Sequence, residues 1–441
     1  MRVSMLAVAL GLCATAAYAQ TPPPAAPALP EGTGRPHSSA PATATATLTL
    51  AEAIVIAESA NATVRAREAQ LAVGEGLRRE ASSFFINNPE LAAEQARRRG
   101  GPDGNISDRT VGVSQAFEIG GQQGRRREAA AATIEALRLE LDDARRQARA
   151  DATLRFHGVL AAQRRVRIEE RAVQLFEATS RAVSRRRAAG EDTRLDANVA
   201  LIEAERARNA LAVAREQLLA ARAELAATLQ LPAVQLPSVA EAPPAVGVAS
   251  SFDLDELLMS VQSLPRVRAL VAREAAARAR LALEQGRQLP DVTVGLSVGR
   301  GMAPAAREKV TTLSVAIPLP LFNRNSAAIG QATADVGSAE VERSAAIRDS
   351  EATVRTLWLR LSSRRERVQR LQQAMVAAAL DNQQLASRSR QAGQIGLLDQ
   401  LVVNRQALDA ERELVEAQTE LDNTRIEIER AAGWPQEGQT R

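Results

Sequence analysis

In the second half of the chain, the pattern of hydrophobic and polar positions changes from a period of two to a period of seven. Apolar residues fill every second position from Val292 to Val298, and the segment from Thr311 to Leu319 alternates in the same way. A period of two predicts strands with one apolar face. The polar segment GRGMAPAAREK lies between the two segments, so they are predicted to form a β-hairpin.

From about Ser326 to Arg390 the pattern predicts one continuous helix. Its apolar residues recur at heptad spacing, and Arg364 interrupts the repeat. The apolar positions are Val354, Leu357, Leu361, Val368, Leu371, Met375, Ala378 and Leu385. This repeat predicts a coiled-coil seam along a helix of about 100 Å. Gly393 and Gly396 are expected to end the helix, and a second helix is predicted to run back from Leu397 to Ala432.

The first half of the chain repeats these elements in the same order. A constant offset of 203 residues pairs Arg187 with Arg390, Gly190 with Gly393, Leu195 with Leu398, Asp196 with Asp399, Leu211 with Leu414 and Pro232 with Pro435. The matching strands are predicted over 82–94 and 109–118, joined by RRRGGPDGNISD. The chain is therefore interpreted as a tandem duplication.

The ends of the chain differ from this repeated part. Residues 1–19 have one early arginine, an apolar run and small residues before Gln20, which predicts a secretory signal peptide. Cys13 is the sole cysteine, so an alternative is a lipoprotein, although Leu12 before it is larger than a lipid-attachment motif prefers. The expected divisions are a signal peptide at 1–19, a Pro/Ala/Thr-rich flexible lead-in at 20–47, repeat 1 at 48–247, repeat 2 at 248–435 and a tail at 436–441.

Charge and composition narrow the classes of function. The 56 basic and 52 acidic residues give a formal charge of only +4, and the charges are interleaved as on solvated helix faces, so no nucleic-acid partner is predicted. The two histidines, His37 and His157, have no second ligand nearby in sequence. No phosphate-binding loop, nucleophile motif or zinc spacing is present, so we expect no enzyme activity, no cofactor and no metal site.

The strands have the dimensions of a membrane-crossing element. No stretch reaches the roughly 18 apolar residues of a spanning helix, whereas each strand approaches the 9 to 11 residues that cross a bilayer when tilted. Four strands cannot close a barrel, and open edges are not tolerated in lipid. The fold class expected is mostly α: a long α-helical coiled-coil barrel joined to a trimeric 12-stranded β-barrel with four strands from each chain.

Several motifs resemble the TolC family of outer-membrane efflux proteins over nearly the whole mature chain. They are the duplication, INNPEL at 86–91, FEIGGQQGRRR at 117–127, IPLPLFNRN at 317–325 and the two hairpin tips that run from RxAG to LD. The first half, with INNPEL and FEIGG, is most similar to the CzcC branch, which serves heavy-metal efflux pumps.

The resemblance implies a homotrimer in outer-membrane lipid with a helical barrel in the periplasm. The hairpin tips would dock a periplasmic adaptor, and an inner-membrane RND-type transporter would supply the energy. The residues implied at the docking and aperture tip are Arg187, Gly190, Leu195, Asp196, Arg390, Gly393, Leu398 and Asp399. For Asp196 and Asp399 a second interpretation stays open, since an Asp just after a turn often caps the following helix.

Two alternatives remain on the sequence alone. The same architecture can serve multidrug or type I secretion export instead of cations such as cobalt, zinc and cadmium. A periplasmic coiled-coil interaction protein would explain the heptads, but it explains neither the signal peptide nor the duplicated strand hairpins.

Overall fold

The computed structural model describes residues 47–101, 104–232, 236–240, 253–303 and 306–433. The predicted signal peptide, nearly all of the lead-in and the C-terminal tail lie outside these residues. The first repeat comprises α1 (Leu50–Ala60), α2 (Ala62–Ser82), β1 (Glu90–Gly101), β2 (Gly104–Phe117), α3 (Gln122–Ala188) and α4 (Arg194–Thr228).

The second repeat contains the same series. It comprises α5 (Leu254–Ser260), a 3₁₀ turn (Val261–Ser263), α6 (Pro265–Gly286), β3 (Val292–Ala303), β4 (Ala306–Ala316), α7 (Ser326–Arg370), a π-helical turn (Leu371–Val376), α8 (Ala377–Gln391) and α9 (Leu397–Ala432). The mostly helical fold and the predicted helical hairpins are therefore confirmed. The repeat limits of 48–247 and 248–435 stay predictions.

The backbone conformation also reflects the duplication. The described residues with positive φ form three pairs at nearly constant spacing: Gly121 with Asn325, Gly190 with Gly393, and Gln230 with Gly433. The first pair precedes α3 and α7, and the other two pairs follow the ends of helices. Each pair occupies the same place in its repeat, where a left-handed residue redirects the chain.

The four strands form one antiparallel sheet in the order β1-β2-β3-β4. A row of directly paired residues on one face is apolar and consists of Leu91, Val113, Leu296 and Leu313. The next row lies on the opposite face and consists of Ala92, Gly112, Ser297 and Thr312. One face of the sheet is thus apolar, the other is small and polar, and β1 and β4 are its edges.

The strand limits differ from the prediction. Strand β1 begins at Glu90 and continues to Gly101, through the arginines that were expected to form a loop. Residues 83–89 are not a strand, because Pro89 has no N–H to donate and Asn87 instead accepts a hydrogen bond from Gln115 at 2.8 Å through its carbonyl. In the second hairpin, both strands likewise extend into the expected polar loop. Strand β3 ends at Ala303, and β4 begins at Ala306.

Three apolar clusters hold the described helices together. One surrounds Phe156 and joins α1, α3 and α4, and a second joins α3, α4 and α9. The third packs α7 and α9 against α5 and α6 around Leu361 and Ile428. No helix in the described part of the chain has both the length and the apolar character needed to cross a membrane.

The coiled-coil seam of α7 is buried only in part. Val354, Leu361 and Leu371 are buried, but Met375 is 43% exposed and Leu385 is 49% exposed, so the last heptad positions are not covered within a single chain. The π-helical turn begins at Leu371. A wider turn changes the angular phase of the helix and rotates the later apolar positions away from the seam.

Candidate functional site

Each helical hairpin reverses through the same turn. At the first tip, the Gly190 N–H donates to the Arg187 carbonyl at 3.0 Å and the Glu191 N–H donates to the Arg186 carbonyl at 2.9 Å. Gly190 has φ of 84°. These two hydrogen bonds and the left-handed glycine constitute a Schellman motif.

The second tip repeats this geometry. The Gly393 N–H donates to the Arg390 carbonyl at 3.1 Å, and the Gln394 N–H donates to the Ser389 carbonyl at 2.8 Å. Gly393 has φ of 72°. At both tips glycine supplies a backbone conformation that other residues adopt only at a cost.

The two tip aspartates interact with the starts of the return helices. Asp196 accepts from the Thr193 hydroxyl at 2.6 Å and from the Thr193 N–H at 3.0 Å. The hydroxyl also accepts from the Asp196 N–H at 3.1 Å, which completes a capping box. At the second tip, Asp399 accepts from the Gly396 N–H at 3.1 Å. Both carboxylates cap helices in this chain.

Capping also changes the acidity of Asp196. The hydrogen bonds from Thr193, first from its side chain and then from its backbone, hold the pKa of Asp196 below its usual value, and the positive charge of Arg390 acts in the same direction. The carboxylate is therefore ionised over the physiological range of pH.

Two leucines at equivalent positions project from the tips. Leu195 is 70% exposed and Leu398 is 60% exposed, whereas the neighbouring Leu397 is only 3% exposed. Arg187 is also exposed. The tips thus present a matched pair of apolar side chains that the described residues leave largely uncovered.

An ion pair that the sequence reasoning missed joins the two tips. Arg390 donates to the Asp192 carboxylate at 3.0 Å and to the Ile395 carbonyl at 3.4 Å. Arg186 lies 3.4 Å from the other oxygen of Asp192, whose side chain is 5% exposed. The sequence contained one signal for this pair, namely a difference between the repeats. Repeat 1 has Asp192, whereas the equivalent position in repeat 2 is Ile395.

Further from the tips, buried carboxylates tie α9 to the first hairpin. Glu169, 1% exposed, accepts from Arg412 at 3.0 and 2.5 Å through its two oxygens. Arg165 lies 2.8 Å from the same carboxylate. Glu203, 5% exposed, accepts from Arg405 at 2.8 Å. The two hairpins therefore share a set of charged contacts in addition to their apolar cluster.

The described residues contain no arrangement of three or more His, Cys, Asp or Glu side chains that could hold a metal ion. His157 lies within α3 at 3.9 Å from the Asp422 carboxylate. Burial lowers the pKa of His157, with a further lowering from Arg164 and an opposing effect from Asp422.

Part of the chain matches a known family, and a larger part resembles a curated relative. The family model for outer membrane efflux proteins matches residues 259–434. The cobalt-zinc-cadmium resistance protein CzcC of Cupriavidus metallidurans is 31% identical over 266 residues, a match that covers 59% of this chain. The match spans 60% of the length of that relative.

Solved structures agree on the fold. The outer membrane protein VceC of Vibrio cholerae superposes with a TM-score of 0.70 at 19% identity, covering 87% of this chain and 96% of VceC. The outer membrane channel CmeC of Campylobacter jejuni gives a TM-score of 0.72 at 12% identity, covering 87% of this chain and 85% of CmeC. Residues 259–434 thus match the outer membrane efflux protein family, the chain is similar to CzcC and has the fold of these outer membrane proteins, and it is located in the outer membrane.

Proposed function

We propose that the chain is one subunit of a trimeric channel that conducts substrate passively across the outer membrane as part of a tripartite efflux system. The observation that carries this proposal is that one chain combines a sheet with an apolar face and long helical hairpins. The sheet has an apolar face that includes Leu296 and Leu313, and long helical hairpins extend from the same sheet. An apolar sheet face suits lipid, and hairpins of this length suit a periplasmic conduit.

The number of copies follows from the edges of the sheet. Within the described residues, strands β1 and β4 each have one unpaired side, and unpaired backbone groups are not tolerated in lipid. Three copies of a four-stranded sheet give a closed barrel of twelve strands, an even number within the usual range. A barrel of that size is wider than its inward side chains can fill, so a pore remains.

The tips are the proposed docking site for a periplasmic adaptor. Leu195 and Leu398 are exposed at equivalent places in the two repeats, so each trimer would offer a ring of six similar apolar contacts. An adaptor that joins an inner-membrane RND-type transporter to the channel would bind there. Asp192, three residues before Leu195 in sequence, is paired with Arg390 of the second tip, and this pair would help to hold the aperture in one conformation.

Heavy-metal cations are the proposed substrate class. The support is the identity of 31% to CzcC, which is a cobalt-zinc-cadmium resistance protein. No cluster of metal ligands lies in the described residues, so this chain would supply a passage and the transporter would supply selectivity. Export of drugs or of secreted polypeptides through the same architecture is the second candidate.

The first experiment is the mass of the detergent-extracted protein together with fractionation of the cell envelope. A trimer in the outer-membrane fraction supports the channel. A monomer or dimer in the soluble periplasmic fraction contradicts it and favours a coiled-coil interaction protein. Deletion of the gene, in a strain with no redundant channel, should lower growth on zinc, cadmium or cobalt, and unchanged tolerance would contradict the metal substrate.

The docking site needs a separate test. The double substitution Leu195→Asp/Leu398→Asp should abolish cross-linking to the adaptor and leave the trimer intact. Leu219→Asp is a matched control, because Leu219 is 56% exposed on the same helix as Leu195 but lies 24 residues further along it. Equal loss of cross-linking in both variants would contradict docking at the tips.

A further inference from the structure

Four linkers join the sheet to the helices, all at the same end of the strands. The two central linkers, which follow β2 and precede β3, contact each other within the chain. Gln122 donates to the Leu289 carbonyl at 3.2 Å, and a Cβ atom placed on Gly120 would lie 2.7 Å from the Leu289 side chain. Since β2 and β3 belong to different repeats, this is one of the contacts between the repeats within one chain, and it lies at the linkers.

The two outer linkers, by contrast, have exposed apolar residues. The linker before β1 contains Phe84, which is 74% exposed, and the linker after β4 contains Leu321 at 65% and Phe322 at 100%. These linkers lie at the two opposite edges of the sheet, next to β1 and β4. Exposed apolar side chains that lie together in a patch, as Leu321 and Phe322 do, mark an interaction site or a membrane site.

Both outer linkers are nevertheless held in place. Gln123 donates to the Ser83 carbonyl at 3.1 Å, and Phe85 packs edge-to-face on Phe117 with a centroid distance of 5.4 Å. On the other side, the Asn325 side chain donates to the Glu284 carbonyl at 2.9 Å. Phe84 and Phe322 are therefore presented outward by anchored backbone.

The duplication indicates what covers them. Gly121 and Asn325 have the same left-handed conformation before α3 and α7, so the linker after β4 is the counterpart of the linker after β2. The order of the elements in the two repeats likewise makes the linker before β1 the counterpart of the linker before β3. The contact between the central linkers should therefore have a second version, in which the linker after β4 meets the linker before β1. A single chain cannot form it, because these two outer linkers lie at opposite edges of the sheet.

We propose that this second version forms between neighbouring copies of the chain, with Leu321 and Phe322 of one copy packed against Phe84 of the next. The antiparallel order allows it, because the end of β4 and the start of β1 lie at the same end of the sheet. The inference rests on the proposed trimer and names the residues that join its subunits just outside the barrel. The alternative occupant of these side chains is the lipid of the membrane surface.

Disulfide cross-linking tests the contact. Cys13 is the sole native cysteine, so the double variant Phe84→Cys/Phe322→Cys is made in a Cys13→Ala background and oxidised in native membranes. The expected result is conversion of most of the protein to covalent dimers and trimers on denaturing gels. Each single variant should remain monomeric on the same gels.

A matched control is Phe84→Cys/Leu289→Cys. Leu289 is 52% exposed in a linker at the same end of the sheet, but it adjoins β3 and not an edge strand. It should give less than a tenth of the intermolecular product of the test pair. Equal product from the control pair would overturn the proposal, because it would indicate nonspecific collision.

The native mass separates failure of this inference from failure of the trimer. If the native mass is that of a trimer but positions 84 and 322 give no cross-link, the inference is overturned and the proposed function is not. If the native mass is that of a monomer, the proposed function is overturned as well. A bimane label on the Phe322→Cys variant tests whether lipid, and not a neighbouring copy, contacts this position. Strong quenching by brominated phospholipid in trimers would assign Phe322 to lipid and overturn the contact between copies.

Discussion

Arg390 at the tip of the second hairpin donates a hydrogen bond of 3.0 Å to Asp192 at the tip of the first. The two residues are 198 positions apart in sequence, and both side chains are largely buried. A charged hydrogen bond in such a setting is stronger than an exposed one. This pair connects the two tips at the place where we propose that an adaptor docks.

The substitution Arg390→Gln should loosen the tips. Asp192 would keep only the more distant Arg186, and the loss of a charged hydrogen bond should cost about 2 kcal/mol. Hydrogen exchange of the amides at 188–197 and 391–399 should accelerate by roughly tenfold or more. Arg388→Gln, which removes a neighbouring exposed arginine, should leave these rates unchanged.

Replacement of the tip glycines by alanine should lower stability. Gly190 and Gly393 have φ of 84° and 72°, and a left-handed conformation costs an L-residue about 1 kcal/mol. Each variant should therefore unfold at a lower temperature in detergent. Gly337→Ala is the control, because Gly337 is helical with open space around its Cβ position. It should be neutral or stabilising, and a decrease equal to that of the tip variants would contradict the argument.

The capping box at Asp196 predicts a pH dependence. Because the pKa of Asp196 is lowered in the folded chain, its stabilisation is complete above the unfolded value of about 3.9 and is lost as pH falls through the folded value. Asp196→Asn should destabilise the first turn of α4 at pH 7, and the difference from wild type should shrink below about pH 4. Amide exchange at residues 194–199 against pH measures this, with Glu216→Gln as a control elsewhere in the helix.

The Glu169–Arg412 pair predicts a non-additive double mutant. Arg412→Met leaves a carboxylate that is 1% exposed with Arg165 as its remaining partner, which should cost about 3 kcal/mol. Glu169→Leu combined with Arg412→Met removes both charges, so it should recover most of that loss. A double-mutant cycle on unfolding temperature checks the coupling, and additive losses would indicate that the two residues act independently.

The two faces of β4 should respond differently to a charge. Leu313 lies in the apolar row and Thr312 lies on the opposite face, and both are exposed in the single chain. If the apolar face meets lipid, Leu313→Arg should cost about 2 kcal/mol and reduce insertion. Thr312→Arg should insert normally. Heat-modifiable mobility in outer-membrane fractions measures insertion, and equal defects would argue against a lipid-facing row.

Much of the candidate site could be predicted from local sequence. Gly190 and Gly393 lie at the turns because the Schellman motif needs a left-handed residue there, and that requirement is visible within a few positions of the chain. The spacing from Thr193 to Asp196 also carries the signature of a capping box. The partner of Arg390 was missed because Asp192 is adjacent only after the two hairpins pack together.

The position of β1 shows another limit. Alternation placed a strand over 82–94, but the structure begins it at Glu90 and pairs Arg97 with Ser107. A polar, arginine-rich segment does not look like a strand by itself. It becomes one because β2 offers an edge with which to pair, and strand propensity depends on such neighbours.

The sequence by itself determined the elements whose causes are local: the long helices, their glycine turns, the capped helix starts, the amphipathic strands of the second repeat and the duplication. Only the tertiary structure decided which charges pair between α9 and the first hairpin, where the heptad seam stops being buried, and which apolar side chains stay exposed at the edges of the sheet. The physical reason is range. Hydrogen bonds within a turn or helix depend on residues a few positions apart, whereas pairs such as Glu169 with Arg412, separated by 243 positions, depend on how whole helices pack.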